Sequence, residues 1–150
     1  MRVAEVMTTA VKTVRPETPA TDAWELMRQQ GIHHLVVMRG SGVVGVLSNR
    51  DAGGRKGGRL RAESRVEDLM THSVVTVEPG DTIRKVANLM RGRTIGCVPV
   101  IEGQRLKGIV TVTDLLQSLG GGVDRPSRPD RHDLRYRVAH RHRRNAAAAW

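Results

Sequence analysis

Gly45-Val46-Leu47-Ser48-Asn49-Arg50-Asp51 is answered 63 residues later by Gly108-Ile109-Val110-Thr111-Val112-Thr113-Asp114. The same offset carries Val3-Ala4-Glu5-Val6-Met7-Thr8 onto Val66-Glu67-Asp68-Leu69-Met70-Thr71. It also carries Val11, Thr13, Val14 and Pro16 onto Val74, Thr76, Val77 and Pro79, with no insertion or deletion. An internal repeat dictates architecture, because one supersecondary unit has to occur twice. The expected fold class is therefore mixed α/β (α+β). It consists of two βαββα subdomains related by a pseudo-twofold axis, with repeats at 1–58 and 66–120, a linker at 59–65 and a basic tail at 121–150.

Each repeat reads in the same order. A short strand (Val11–Val14, Val74–Val77) leads to a Pro-containing turn and then a helix. Thr18-Pro19 reads as an N-cap followed by Pro at the first helical position, and Asp81 as the equivalent cap. Ala20, Ala23, Trp24 and Met27 recur at helical spacing, as do Ile83, Val86, Ala87 and Met90. Two β-rich runs follow in each repeat: Leu35–Met38 and Val43–Leu47, then Val98–Ile101 and Leu106–Val110. Hairpin turns fall at 39–42 and 102–105. A last helix is expected from Ser48 and from Thr111. The second is well formed in sequence and stops near Leu119. The first runs into Ala52-Gly53-Gly54-Arg55-Lys56-Gly57-Gly58, where each Gly costs about 1 kcal/mol in a helix interior. A short or broken helix and a basic connecting loop are expected there.

Composition narrows the function. The chain has 150 residues, 39% hydrophobic, with no Phe, one Tyr and two Trp. The core must be aliphatic, and base-stacking recognition of single strands lacks its ring platforms. One cysteine, Cys97, rules out an internal disulfide and fits a reducing compartment. There is no run of about 18 apolar residues to span a membrane, and Met1-Arg2 leads directly into the first repeat without a signal peptide. A cytoplasmic location is expected. The tail 121–150 holds eight Arg and three Asp, which is half of the net charge of +10. Such a tail suits nucleic acid or acidic proteins through charge neutralisation, or simply solvates. A short helix over 134–144 is compatible with its pattern.

Ser48-x-x-Asp51 and Thr111-x-x-Asp114 are the residues that carry chemistry. Ser or Thr followed three residues on by an acid is a capping box. At a strand end that opens a helix, the same groups present backbone N–H donors and a positive dipole end to phosphate. A carboxylate one turn in accepts from both hydroxyls of a ribose. No nucleophile, base and orienter set is evident, so no catalytic residue and no catalytic cofactor are expected. His33 and His34 with Cys97 would be a candidate metal set. However, neighbours on a strand point to opposite faces, and no Cys/His spacing supports zinc.

Taken together, the twice-present G-h-h-[S/T]-x-x-D, the leading V-x-[E/D]-h-M-T segments, Thr-Val-x-Pro in both repeats and Val98-Pro99-Val100 resemble a tandem pair of cystathionine-β-synthase (CBS) domains, a Bateman module. The resemblance covers about residues 1–120. Val36 in place of the Pro at 99 and the Gly-rich 53–58 segment depart from the pattern. It implies a regulatory module without enzymatic activity that dimerises. It also implies two clefts between the repeats for an adenosyl ligand, either AMP, ADP, ATP or S-adenosylmethionine. Carried over, one cleft joins Thr111 and Asp114 to Val11, Lys12, Thr13, Ile32, His33 and His34. The other joins Ser48 and Asp51 to Val74, Val75, Thr76, Ile95, Gly96 and Cys97, with Arg50 and the loop Arg55-Lys56 as a source of phosphate charge. Lys12 and the two histidines make the Asp114 cleft the expected better nucleotide site.

Overall fold

The computed structural model describes residues 1–120. Contacts divide the chain into units Met1–Gln117 and Ser118–Trp150, and all strands of both repeats lie in the first. The Arg-rich tail, the expected helix at 134–144 and His132, His140 and His142 lie outside the described residues.

In chain order the elements are α1 (Val3–Val6), β1 (Thr13–Val14), α2 (Ala20–Gln30), β2 (His34–Arg39) and β3 (Gly42–Ser48). A 3₁₀ turn (Gly54–Lys56) precedes α3 (Gly58–Ala62) and α4 (Val66–Leu69). Then come α5 (Ile83–Arg93), β4 (Cys97–Glu102), β5 (Arg105–Thr111) and α6 (Val112–Gly120). The first sheet has the order β1-β2-β3, with β1 parallel to β2 and β2 antiparallel to β3. β4 and β5 form the equivalent hairpin, and Val77 adds one parallel bridge to Val100.

The expected early strands are shortened. Val11 and Val74 send their N–H groups to Thr9 and His72 carbonyls, 2.9 and 3.0 Å away. Those tight turns remove them from a ladder, so only Thr13–Val14 and the Val77 bridge pair. Two caps also differ from expectation. Thr18 Oγ1 accepts from Arg15 N at 3.3 Å, and Asp81 Oδ2 accepts from Glu78 N at 2.8 Å. Both side chains close the preceding turn. The helix-capping residues are the next ones along, Pro19, with no side-chain acceptor, and Thr82, whose Oγ1 takes the Lys85 N–H at 3.2 Å. After Asp51 the helix is broken as expected, but 58–62 form a helix rather than a loop.

Strand alternation builds two cores and a seam. Leu35, Val37 and Leu47 face α2, with Ala23, Met27, Ala52 and Val66. Val98, Val100 and Val110 face α5, with Val77, Val86, Met90, Leu115 and Val3. The intervening residues Val36, Cys97 and Ile109 are buried where the two sheets meet. That is the period-two consequence of covering both faces of each sheet.

The leading helices cross over. Val3 and Ala4 donate backbone N–H bonds to Asp81 and Pro79 of the second repeat at 2.8 and 3.0 Å, and Thr8 bridges to Ile109. Val66 and Glu67 donate to Thr18 and Pro16 of the first repeat at 2.8 and 3.0 Å, and Thr71 bridges to Val46. In sequence each leading segment precedes its own repeat; in space it closes the core of the other.

Candidate functional site

The seam opens into one continuous cleft of about 600 Å³, lined by both repeats. Its size falls within the range of small-molecule sites. Alternation explains its composition. His34 begins β2 in phase with the seam residue Val36, and Cys97 occupies the matching place on β4. A Cβ on Gly96 would lie 3.4 Å from His34 Nε2, so the imidazole rests against the backbone of the opposite repeat. His33 also lines the cleft, contrary to the opposite-face expectation. It precedes β2 and escapes strand alternation, and its Nδ1 lies 3.1 Å from Asn49 Nδ2.

Both Ser/Thr-x-x-Asp motifs are reciprocal capping boxes. Ser48 N donates to Asp51 Oδ2 at 3.1 Å, and Asp51 N to Ser48 Oγ at 2.9 Å. Thr111 N donates to Asp114 Oδ2 at 2.8 Å, and Asp114 N to Thr111 Oγ1 at 3.2 Å. The crossed leading segments add a hydroxyl to each carboxylate. Thr8 Oγ1 reaches Asp114 Oδ1 at 3.3 Å, whereas Thr71 Oγ1 reaches Asp51 Oδ2, the capping oxygen, at a marginal 3.5 Å. The two carboxylates are therefore unequal. Asp114 uses both oxygens and is not on the cleft wall, while Asp51 uses one and is.

Burial governs the protonation of the central pair. It depresses the His34 pKa, helped by His33 and opposed by Asp51. It pushes the Cys97 thiol up to about 12, with the Asp51 charge adding to the effect. Cys97 is thus a neutral, unreactive wall residue. Among the described residues no group of three or more His, Cys, Asp or Glu is arranged to hold a metal ion, and no helix is long and apolar enough to cross a membrane.

The CBS-domain family model matches residues 3–52 and 66–121. The chain belongs to the CBS-domain family. The CBS domain-containing protein YhcV of Bacillus subtilis is 29% identical over 114 residues, covering 75% of this chain and 81% of YhcV. A homoserine O-acetyltransferase of Methanococcoides burtonii is 32% identical over 120 residues, covering 79% of this chain. The chain spans only 24% of that relative's length. Among experimental structures, the CBS domain pair of protein MJ0100, in complex with 5′-methylthioadenosine and S-adenosyl-L-methionine, superposes with a TM-score of 0.73 at 24% identity. The match covers 81% of this chain and 97% of that one, and it establishes the shared fold.

Most of the residues selected from sequence line this cleft of the CBS pair. Val11, Lys12, Ile32, His33, His34 and Thr111 line the cleft together with Ser48, Arg50, Asp51, Val74, Val75, Ile95, Gly96 and Cys97. Thr13, Thr76 and Asp114 are not among the lining residues. Thr13 is in the β1 ladder, and Asp114 is turned into its cap. Residues not selected from sequence include Thr8, Thr71, Asn49 and Thr94. The Met-Thr ends of the leading segments were visible as repeated residues, but their crossing was not. Thr94 stands where the first repeat has Gly31, and it holds the same left-handed conformation, with φ 54° against 63°.

Proposed function

We propose that this CBS pair is a non-enzymatic sensor that takes an adenosyl ligand in the cleft between its repeats. The observation that carries the reading is the cleft of about 600 Å³, walled by matched segments of both repeats. A ligand there touches both units at once. Its binding free energy therefore depends on how the repeats pack, and that dependence is the requirement for a ligand to shift a conformational equilibrium. The methylthioadenosine and S-adenosylmethionine complex of the MJ0100 pair supports the adenosyl class.

Within the cleft, Asp51 is the better-placed ribose acceptor. It lines the wall and caps with one oxygen, leaving the other to accept ribose hydroxyls. Asp114 would first have to release Thr8. Val11, Ile32, Val74 and Ile95 supply aliphatic wall against which adenine would lie. The output then runs through self-association or a partner.

Calorimetric titration of the nucleotide-free protein with AMP, ADP, ATP and S-adenosylmethionine tests the reading, with Asp51→Ala and Asp114→Ala alongside. Saturable binding that is lost mainly in Asp51→Ala is expected. Equal loss in both variants removes the assignment to Asp51, and silence with all four ligands removes the sensor reading.

A further inference from the structure

Met7 and Met70 stand 63 positions apart and end the two crossed leading segments, as the C-caps of α1 and α4. Their backbones are pinned: Met7 N donates to the Val3 carbonyl and Met70 N to the Val66 carbonyl, both at 2.9 Å. Their side chains lie across the opposite repeat. Met7 Sδ is 3.0 Å from where a Cβ on Gly108 would stand, and Met70 Sδ is 2.5 Å from the same point on Gly45. Each thioether therefore rests directly on a buried glycine. Met7 also packs against the core of the second repeat, and Met70 against that of the first. The next residue in each case is the threonine whose hydroxyl reaches the carboxylate, Thr8 to Asp114 and Thr71 to Asp51.

These two methionines differ from the sulfur groups deeper in the fold. Met27 and Met90 are buried in the two cores, whereas Met7 and Met70 are half-buried and open to a small oxidant. Cys97 is buried with its thiol pushed up to about 12, so almost no thiolate is present to react. We propose that Met7 and Met70 are a matched pair of oxidation sites, at which a hydroperoxide converts the thioether to the sulfoxide and releases the leading segments. The sulfur lone pair attacks one peroxide oxygen, and the S–O bond forms as the O–O bond breaks. Sulfur is oxidised to the sulfoxide, and the hydroperoxide is reduced to water or an alcohol. The product is larger and polar. An oxygen facing the glycine and the aliphatic core loses its hydration without gaining a donor. Lifting of the segment from the opposite repeat relieves this, and it takes Thr8 from Asp114 and Thr71 from Asp51. Methionine sulfoxide reductases return the thioether, so the change is reversible. The proposal is independent of which ligand the cleft takes.

The test exposes the full chain to hydrogen peroxide, locates sulfoxide by peptide mass spectrometry and follows amide hydrogen exchange in the same samples. Met7 and Met70 should oxidise before Met27 and Met90. As their sulfoxides accumulate, exchange should quicken about tenfold in the leading segments and at their bridge partners Val46 and Ile109. The melting temperature should fall by about 4 °C or more, and treatment with the reductases should restore both. The double variant Met7→Leu, Met70→Leu should keep its melting temperature through the same exposure, because leucine fills a similar volume without an oxidisable sulfur. Met38→Leu, at a half-buried methionine of the seam, should lose as much as the parent.

Oxidation of Met7 and Met70 no faster than that of Met27 and Met90 overturns the proposal. So does sulfoxide at both sites with exchange unchanged, or a double variant that loses as much as the parent. Exchange is read on the parent chain, so it decides the matter even where the double variant fails to fold.

Discussion

Arg61 is a charged residue inside the fold, only 7% exposed. Its guanidinium lies 3.9 Å from the centroid of the Trp24 ring and donates to the carbonyls of Ala52 and Gly54. It therefore does the work of the helix that the Gly-rich segment cannot form, tying the turn after Asp51 back onto α2. Arg61→Ala leaves those carbonyls without their donor and the ring without its cation, at an expected cost of about 2–4 kcal/mol. The check is urea unfolding followed by far-UV circular dichroism. Arg61→Lys should recover only part, because an ammonium lacks the planar fork that stacks and bonds together. A loss below about 0.5 kcal/mol in Arg61→Ala would show the contact to be incidental. His34 gives a pH-dependent counterpart. Its folded pKa lies below the ordinary value of 6.5 because burial disfavours the cation, with His33 adding to the effect and Asp51 opposing it. The unfolded chain thus takes up the proton first. The stabilisation is fully present above about pH 6.5 and is lost as pH falls from there through the folded pKa. Urea midpoints of His34→Gln should consequently fall less steeply below pH 6.5 than those of the parent. Parallel curves would remove His34 as the source.

At the level of elements, two positions that match across the repeat show how the same backbone is filled differently. Gly45 and Gly108 start the paired Gly-apolar-apolar segments, and each lies under a crossed leading segment. A Cβ on Gly108 would come 2.7 Å from the Thr8 carbonyl oxygen, part of the backbone. A Cβ on Gly45 would meet the flexible Met70 Sδ first, at 2.5 Å, and the Thr71 carbonyl at 3.0 Å. Gly108→Ala should therefore cost more, about 2–3 kcal/mol against about 1–2 for Gly45→Ala, since side chains yield more easily than backbone. Thermal melts of the two variants check the order. Thr94 ends α5 with φ 54°, a strained conformation for a β-branched residue, where Gly31 ends α2 at φ 63° without strain. Thr94→Gly is expected to stabilise by about 0.5–1 kcal/mol, and a lowered melting temperature would contradict this. Because Thr94 lines the cleft, strain held there points to a functional constraint. A stabilised Thr94→Gly with weakened ligand binding would be the signature of that trade.

For the whole molecule, the crossing of the leading segments makes the two repeats interdependent. Val3 is fully buried in the core of the second repeat and Val66 in that of the first. A fragment cut at the repeat boundaries, 1–64, carries Val3 without its partner core and lacks Val66. A fragment of the same size shifted along the chain, 9–72, contains α2, the β1-β2-β3 sheet and α4 together. The shifted fragment is expected to unfold with the sharper denaturant transition, and circular dichroism in urea measures both. If 1–64 is equally cooperative, the crossed helices contribute little. The same crossing links fold to function, because each carboxylate motif receives a threonine hydroxyl from the other repeat's leading segment. Movement of either leading segment changes the hydrogen bonding of the opposite Asp.

Much of this was legible in the sequence because it depends on near neighbours in the chain. The offset between Gly45–Asp51 and Gly108–Asp114, the helical spacing of Ala23 and Met27, the β-rich run Leu35–Met38 and the reciprocal Ser48–Asp51 cap are all local patterns, and local patterns fix element type and family. The broken helix after Asp51 was equally readable from its glycines. Tertiary structure alone decided the rest. Thr82 rather than Asp81 caps α5, because the Asp81 carboxylate is drawn into the preceding turn. Arg61 is buried by Trp24, which lies 37 positions earlier in the chain. Asp51 lines the cleft and Asp114 does not, in a molecule whose sheets meet along Val36, Cys97 and Ile109 and whose leading helices trade places. A repeat specifies two equal halves. The packing of those halves, in which Thr8 takes the Asp114 oxygen that its cap leaves over while Asp51 keeps one oxygen open, is a long-range contact that no local pattern encodes.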